Sequence, residues 1–343
     1  IVEGLPAGLP VPAASLAHEL RRRRLGHGRG RRMQLEADDF EILGGVRFGE
    51  TIGSPVAVLI RNTEWPKWRE EMAAGPGESR RPLHTPRPGH ADLAGMLKYD
   101  RRDARDILER ASARETAART VAGFLAKALL AEIGITIVSH VIRIGPETAS
   151  GVRPGPGDLA AVDRSPVRSF DPDAADRMVT AIDDAKELRD TLGGVFEVLA
   201  YGVPPGLGSH VHFDRTIDGR LAGAVASIPG IKGVEIGDGF AVAAGPGSAA
   251  HDELEYVGDG FRRRTNRAGG IEGGITTGEP ITVRAAMKPI STLMQPLDTV
   301  DVVTKEADKA FRERSDVCAV PAAGVVAEQM TAFVLADEAL RKF

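Results

Sequence analysis

The chain has 343 residues, a formal net charge of −4 and a single cysteine, a length that suits two domains or one large one. Its 40 Gly and 22 Pro sit between periodic apolar runs, marking turns rather than disorder. No run of about 18 apolar residues and no charged-then-apolar leader occurs, so no membrane span or signal peptide is expected, and the lone Cys318 points to a reducing, cytoplasmic setting.

Residues 1–3 read as the end of a strand, followed by the turn Gly4-Leu-Pro-Ala-Gly-Leu9. Leu16 and Leu20 share one face of a helix over Ala13–Arg24, capped by Ser15 or starting near it. Then comes the basic, Gly-rich loop Leu25-Gly-His-Gly-Arg-Gly-Arg-Arg32, in which glycines let arginines fold over a ligand or simply form a solvated loop. Arginine clusters at 21–24, 29–32 and 262–264 on a mildly acidic chain favour a small anion over nucleic acid.

Residues 40–46 and 55–60 read as paired strands, and 64–88, Pro-rich and charged, as a surface excursion. Ser112-Ala-Arg-Glu115 is a capping-box pattern opening a helix to Glu132, with Val121, Leu125, Ala128 and Leu129 on its buried stripe and Gly134 stopping it. Flanked by Arg110 and Arg114, the first turn of that helix favours a phosphate or carboxylate. Residues 135–144 follow as a strand, 147–172 as a loop-rich connector, 173–192 as a polar helix and Gly194–Tyr201 as a strand.

From there the chain repeats itself. Gly4-Leu-Pro-Ala-Gly-Leu9 matches Gly202-Val-Pro-Pro-Gly-Leu207, and Ile42-Leu-Gly-Gly-Val-Arg-Phe-Gly-Glu50 matches Ile271-Glu-Gly-Gly-Ile-Thr-Thr-Gly-Glu279 in the same order. This implies one domain over 1–343 built of two pseudo-symmetric halves, about 1–140 and 193–343, joined by a connector at 141–192, with a ligand site where they meet. It also implies that residues 1–3 end a strand whose earlier part lies ahead of Ile1. In the second half, 231–240 is a strand ending in a turn, 265–270 a flexible loop, 283–292 a strand leading into Ser291 and Thr292, and 320–335 an apolar helix entered from Arg314-Ser-Asp316.

The chemistry-bearing features are His90, the arginines at 23, 29, 87, 114 and 314, the Ser291/Thr292 pair and Asp316. A lone histidine is more often a structural hydrogen-bonder than a catalyst. No His or Cys spacing suits a metal, no Gly-x-Ser-x-Gly suits a hydrolase, and the 26–30 glycines lack the strand-helix context of a dinucleotide fingerprint. On the residues alone, a phosphate lyase using His90 as acid and an anion- or RNA-binding module built on 21–32 both remain open.

Arg87-Pro-Gly-His-Ala-Asp92, Arg110-Ala-Ser-Ala-Arg-Glu-Thr116, Lys232-Gly-Val-Glu-Ile-Gly-Asp-Gly239, Ala268-Gly-Gly270 and Arg314-Ser-Asp-Val-Cys-Ala-Val-Pro321 together resemble the chorismate synthase family. The resemblance runs from Ile1 to about Lys342, with actinobacterial character at Asn62-Thr-Glu-Trp-Pro-Lys-Trp68. It implies an α+β fold, a β-α-β sandwich with helices between two antiparallel sheets, assembled as a homotetramer. The implied reaction is the 1,4-anti elimination of phosphate from 5-enolpyruvylshikimate 3-phosphate to give chorismate, with reduced FMN and with NADPH as the candidate external reductant. Carried over by motif, Arg23, Arg29, Arg87, Arg114 and Arg314 hold substrate anions, His90 protonates or steadies the reduced flavin, and Asp316 handles the flavin N5 proton. FMN would lie against Arg110, Ala111, Ser112, Pro229, Gly230, Gly273, Lys288, Pro289, Ile290, Ser291, Thr292 and Arg314. The family's second histidine, in a Gly-Glu-Ser-His-Gly motif, has no counterpart in this sequence.

Overall fold

A computed structural model of the protein describes residues 1–30 and 37–343; Arg31 and Arg32 of the basic loop lie outside them. The first half runs α1 (Ala13–Arg24), β1 (Phe40–Gly44), β2 (Val46–Arg47), β3 (Glu50–Thr51), β4 (Ala57–Ile60), α2 (Trp65–Trp68), α3 (Asp92–Tyr99), α4 (Arg105–Ala111), α5 (Thr116–Glu132) and β5 (Thr136–Ile144). The connector holds β6 (Glu147–Thr148), α6 (Leu159–Arg164) and α7 (Pro172–Glu187). After it come β7 (Gly194–Tyr201), α8 (Ile217–Ala226), β8 (Ile231–Ile236), α9 (Gly247–Ala250), β9 (Leu254–Val257), β10 (Gly260–Arg263), β11 (Ile271–Glu272), β12 (Ile275–Thr276), β13 (Ile281–Met287), β14 (Asp298–Val300), β15 (Ala307–Lys309) and α10 (Val320–Lys342).

The principal sheet is antiparallel, in the order β6-β5-β7-β13-β8. Alternate residues of its strands, among them Ile137, Val141, Phe196, Val198, Ala200, Ile281 and Val283, enter one buried core, as period-two patterning requires. That core is shared with α8 and α10, which pack on each other and on the sheet. A second core joins Leu16 and Leu20 of α1 and Val121, Phe124 and Leu125 of α5 to the small β1-β4 sheet. α1, α5 and α10 therefore lie between two sheets, the expected α+β layering. At the contact of α5 with α10, a Cβ on Gly123 would come 2.2 Å from Gln329 Cβ, so only glycine permits the approach.

Several local expectations need correcting. Ser15 does not cap α1; Pro12 is its N-cap, and Ser15 lies inside the first turn with its N–H on Pro12 O at 3.0 Å. The helix expected over 173–192 starts at Pro172, capped by Asp171 accepting from Ala174 N–H at 3.0 Å. It ends at Glu187, where Arg189 takes a φ of +58° and Asp190 N–H reaches back to Ala185 O at 2.9 Å. The last helix continues past 335 to Lys342 because Ala336 and Ala339 extend its buried face. Gly134 ends α5 as expected: its φ is +77°, and Ile135 N–H reaches back to Leu130 O at 3.0 Å, a Schellman closure.

The loop over 265–270 is pinned rather than flexible. Asp252 accepts from Thr265 Oγ1 at 2.5 Å, Arg267 N at 2.8 Å and Ala268 N at 2.9 Å, while Asn266 Nδ2 donates to Pro280 O at 2.7 Å.

The internal repeat is visible in hydrogen bonds. Thr51 Oγ1 accepts from Leu9 N at 3.0 Å and donates to Pro6 O at 2.6 Å; Thr276 Oγ1 accepts from Leu207 N at 2.8 Å and donates to Pro204 O at 2.7 Å. The β2-β3 pairing of Val46 with Thr51 recurs as Ile271 with Thr276 in β11-β12. The bridge between Val2 and Val56 recurs as Ala200 with Ile281. Ile271 thus answers to Val46, not to Ile42 as the sequence match had it. The cause is a second Gly-Gly pair: the true counterpart of Gly44-Gly45 is Gly269-Gly270. Gly45 and Gly270 both have positive φ, and a Cβ would meet Pro55 O at 2.4 Å in one and Pro280 O at 2.6 Å in the other.

Candidate active site

The starts of α5 and α10, the loop leaving β13 and the segments 62–72 and 87–91 enclose a cleft of about 600 Å³, within the usual range for small-molecule sites. Both halves contribute walls. Arg23, Arg29, Arg87, Arg114 and Arg314 line it with His90, Asp316, Ala111, Ser112, Pro229, Gly230 and 288–292. Two expected residues lie outside it. Arg110 is exposed, 3.9 Å from Glu115, and Gly273 sits in the open β11-β12 turn.

His90 does not act alone. Its Nδ1 is 2.5 Å from Oδ1 of Asp92, which is wholly buried at the start of α3. A carboxylate only accepts, so Nδ1 carries the proton, while Nε2, 3.4 Å from Arg87 Nη2, accepts or, in the charged ring, donates. Arg87 gives Nε to Asp92 Oδ2 at 2.8 Å, Nη2 to Oδ1 at 3.1 Å and Nη1 to Thr292 Oγ1 at 2.7 Å. Its Cζ also lies 4.6 Å from the centre of the Phe311 ring. Arg87 is thus spent largely on its own protein, holding Asp92, His90 and Thr292 in register. Burial raises the Asp92 carboxyl, but hydrogen bonds from His90 and Arg87 outweigh it and bring it down to about 2.

Asp316 is fixed from the other side of the chain. Gly30 N–H reaches its Oδ1 at 2.6 Å and Arg29 Nη1 its Oδ2 at 2.8 Å. A Cβ on Gly30 would sit 2.8 Å from Ser315 O, so this glycine serves close approach of two loops rather than freedom of an arginine. Arg23 is clamped by both Asp38 oxygens, at 2.8 and 3.0 Å, with Nη1 on Thr116 Oγ1 at 3.3 Å. Glu64, buried, receives Arg314 Nη2 at 2.6 Å and has Arg114 Nη2 at 3.6 Å. Arg23, Arg29, Arg87, Arg114 and Arg314 thus each lie beside a carboxylate, which constrains the direction of the fork.

The capping box over 112–115 forms only in part. Ser112 Oγ accepts from Arg114 N at 3.3 Å and caps a single 3-10 turn over Ala113–Glu115. Glu115 turns away to Arg119 Nε at 2.9 Å. The stretch 64–88 is likewise more than a surface excursion: residues 73–82 are exposed, but Trp65, Trp68 and Met72 wall the cleft.

A family model described as chorismate synthase matches residues 1–340. The chain belongs to the chorismate synthase family. The chorismate synthase of Salinispora tropica is 59% identical over 353 aligned positions, covering 100% of this chain and 90% of that protein. That of Frankia casuarinae is 60% identical over 356 positions with the same coverage. A solved chorismate synthase crystal structure superposes with a TM-score of 0.78 at 43% identity, covering 99% of this chain and 87% of the other. The enzyme is accordingly a lyase of the shikimate pathway. Among the described residues no helix is long and apolar enough to cross a membrane.

Sequence reasoning missed Glu64, which lines this cleft, and Asp92 and Asp38, which hold the lining residues His90 and Arg23 from behind. Asp92 stood inside the quoted Arg87–Asp92 motif, and Glu64 inside the 62–68 block, so both were on view without a role. Nothing local marks Asp38 as the partner of Arg23.

Proposed function

We propose that this cleft performs the 1,4-anti elimination of phosphate from 5-enolpyruvylshikimate 3-phosphate, giving chorismate, with reduced FMN bound beside the substrate. The observation that carries the reading is the convergence of carboxylate-oriented arginines from both halves on His90 and Asp316. A substrate with one phosphate and two carboxylates calls for several such forks. Arg23, Arg29, Arg114 and Arg314 take the anions, while Arg87 chiefly positions His90.

The donor set also suits FMN. Pro229, Gly230, Met287 and Pro289 offer a largely apolar wall for a flat ring, and Ser112, Ser291, Thr292 and Lys288 offer polar groups for its rim and phosphate. Ala111 and Ile290 complete the candidate cradle. When bound, reduced FMN supplies the electron-rich ring on which the elimination depends. His90, with its Nδ1 proton held on Asp92, presents Nε2, and in the charged ring that Nε2–H is the acid that steadies developing negative charge. Asp316 is assigned the flavin N5 proton. NADPH as external reductant, a homotetrameric assembly and a cytoplasmic setting belong to the same reading; fully exposed aromatics such as Phe48 and Phe213 are in keeping with further assembly.

An anaerobic assay with photoreduced FMN tests it. Chorismate formation strictly dependent on reduced flavin is expected. Turnover without flavin would instead select a cofactor-free phosphate lyase, and salt-sensitive RNA retention without turnover a binding module.

A further inference from the structure

Glu64 stands between two arginines that the chain brings from far apart. Arg314, 250 residues away, donates Nη2 to Oε1 at 2.6 Å; Arg114 places Nη2 3.6 Å from Oε2. The carboxylate is buried, whereas the Arg314 side chain is 54% exposed and that of Arg114 26%. A buried carboxylate is stable only with such partners, and two guanidinium groups facing one anion site repel each other unless a negative charge lies between them.

The backbone sets Glu64 in place. Asn62 Oδ1 accepts from Glu64 N–H at 3.0 Å, and Trp65 N–H bonds to Asn62 O at 3.1 Å, turning the chain into α2. Trp65 and Trp68 of that helix line the cleft. A guanidinium has five N–H donors, so one contact with Glu64 constrains each fork without engaging all of its donors.

We propose that Glu64 is a positioning residue that joins Arg114 of the first half and Arg314 of the second into one anion-binding fork for the substrate's phosphate or carboxylate. The inference rests on the assignment of those arginines to the substrate. An alternative arrangement, in which Glu64 is a stand-in anion that substrate must displace, makes the opposite prediction for affinity.

The test uses the full chain with reduced FMN and the variants Glu64→Gln and Glu64→Asp. KM for 5-enolpyruvylshikimate 3-phosphate and kcat are measured separately. Binding of inorganic phosphate is followed by emission of the chain's two tryptophans, both in α2. Glu64→Gln should raise KM and the phosphate Kd about tenfold, the loss of one well-placed charge contact, with kcat falling less than KM rises. Glu64→Asp, which keeps the charge on a shorter arm, should fall between it and the wild type. An unchanged or lowered KM and phosphate Kd in Glu64→Gln overturns the proposal. If Arg114→Ala and Arg314→Ala also leave both constants unchanged, the assignment of the arginines falls with it; if those variants weaken binding and Glu64→Gln does not, only the role of Glu64 is lost.

Discussion

Asp92 and His90 are two residues apart in sequence and 2.5 Å apart at Oδ1 and Nδ1, and the same carboxylate takes the Arg87 fork. The pair makes one unit: the arginine holds the acid, the acid holds the imidazole, and Nε2 is the ring nitrogen that the carboxylate does not take. This is the orienting logic of a catalytic triad without its nucleophile.

Asp92→Asn should therefore cut kcat about 10²-fold or more, with KM changing less. An amide must turn its NH2 toward either Arg87 or His90, placing donor against donor. Steady-state kinetics under anaerobic reduced flavin would check this, with FMN binding measured in parallel. Activity within a few-fold of wild type would show that Asp92 does not orient His90.

His90→Ala should lose about 10²-fold or more in turnover, as for a positioned acid, while FMN still binds. Flavin titration separates the two effects. Unchanged turnover would make His90 a structural hydrogen-bonder of Asp92.

Much of the fold was legible because local chemistry decides it. Val121, Leu125 and Gly134 define α5, and the short, nearly continuous apolar run in 194–201 marks β7, since burial pattern and chain stops are written in neighbouring residues. Charge pairing is different. Nothing near Glu64 names Arg314, nothing near Arg23 names Asp38, and Glu115 satisfies a capping pattern yet pairs with Arg119. Those partners are chosen by packing, after the elements have met. The repeat failed in register for a related reason: two Gly-Gly pairs, 269–270 and 273–274, lie close together, and tertiary contacts such as that with Pro280 O tell which one matches Gly44-Gly45.

The repeat predicts matched costs. Thr51→Val and Thr276→Val each remove the acceptor of a buried backbone N–H and the donor to a proline carbonyl, without changing side-chain shape. Each should lose about 1–3 kcal/mol by urea denaturation, the two values agreeing within about 1 kcal/mol. A silent variant at either site would show that its turn is held by other contacts.

Gly123→Ala sets propensity against packing. Alanine favours helix over glycine by about 1 kcal/mol, yet its Cβ would lie 2.5 Å from Gln329 Cα, an atom of the backbone of α10. Forcing two helices apart in a filled core costs more than propensity returns, so a net loss of about 2 kcal/mol is expected. A raised urea midpoint would mean that α5 and α10 separate freely.

Glu328 of α10 is the centre of a buried charge cluster apart from the cleft. Its oxygens accept from Arg22 at 2.8 and 2.9 Å, Lys127 at 2.7 Å, Ser139 Oγ at 2.7 Å and Arg168 at 2.9 Å. Burial raises its carboxyl, but Arg22, Lys127 and Arg168 outweigh that and hold it well below the usual 4.5. Because the folded value is depressed, the stabilisation is complete above about pH 4.5 and is lost as pH falls toward the folded value. Glu328→Gln leaves three cations without their shared anion and should cost about 3–5 kcal/mol at pH 7. The gap between variant and wild type should then narrow in denaturation curves taken below pH 4.5, where unfolded wild-type chain gains the proton that the folded carboxylate resists. A gap that stays constant down to pH 3 would show that the charge of Glu328, as opposed to its shape, contributes nothing to the fold.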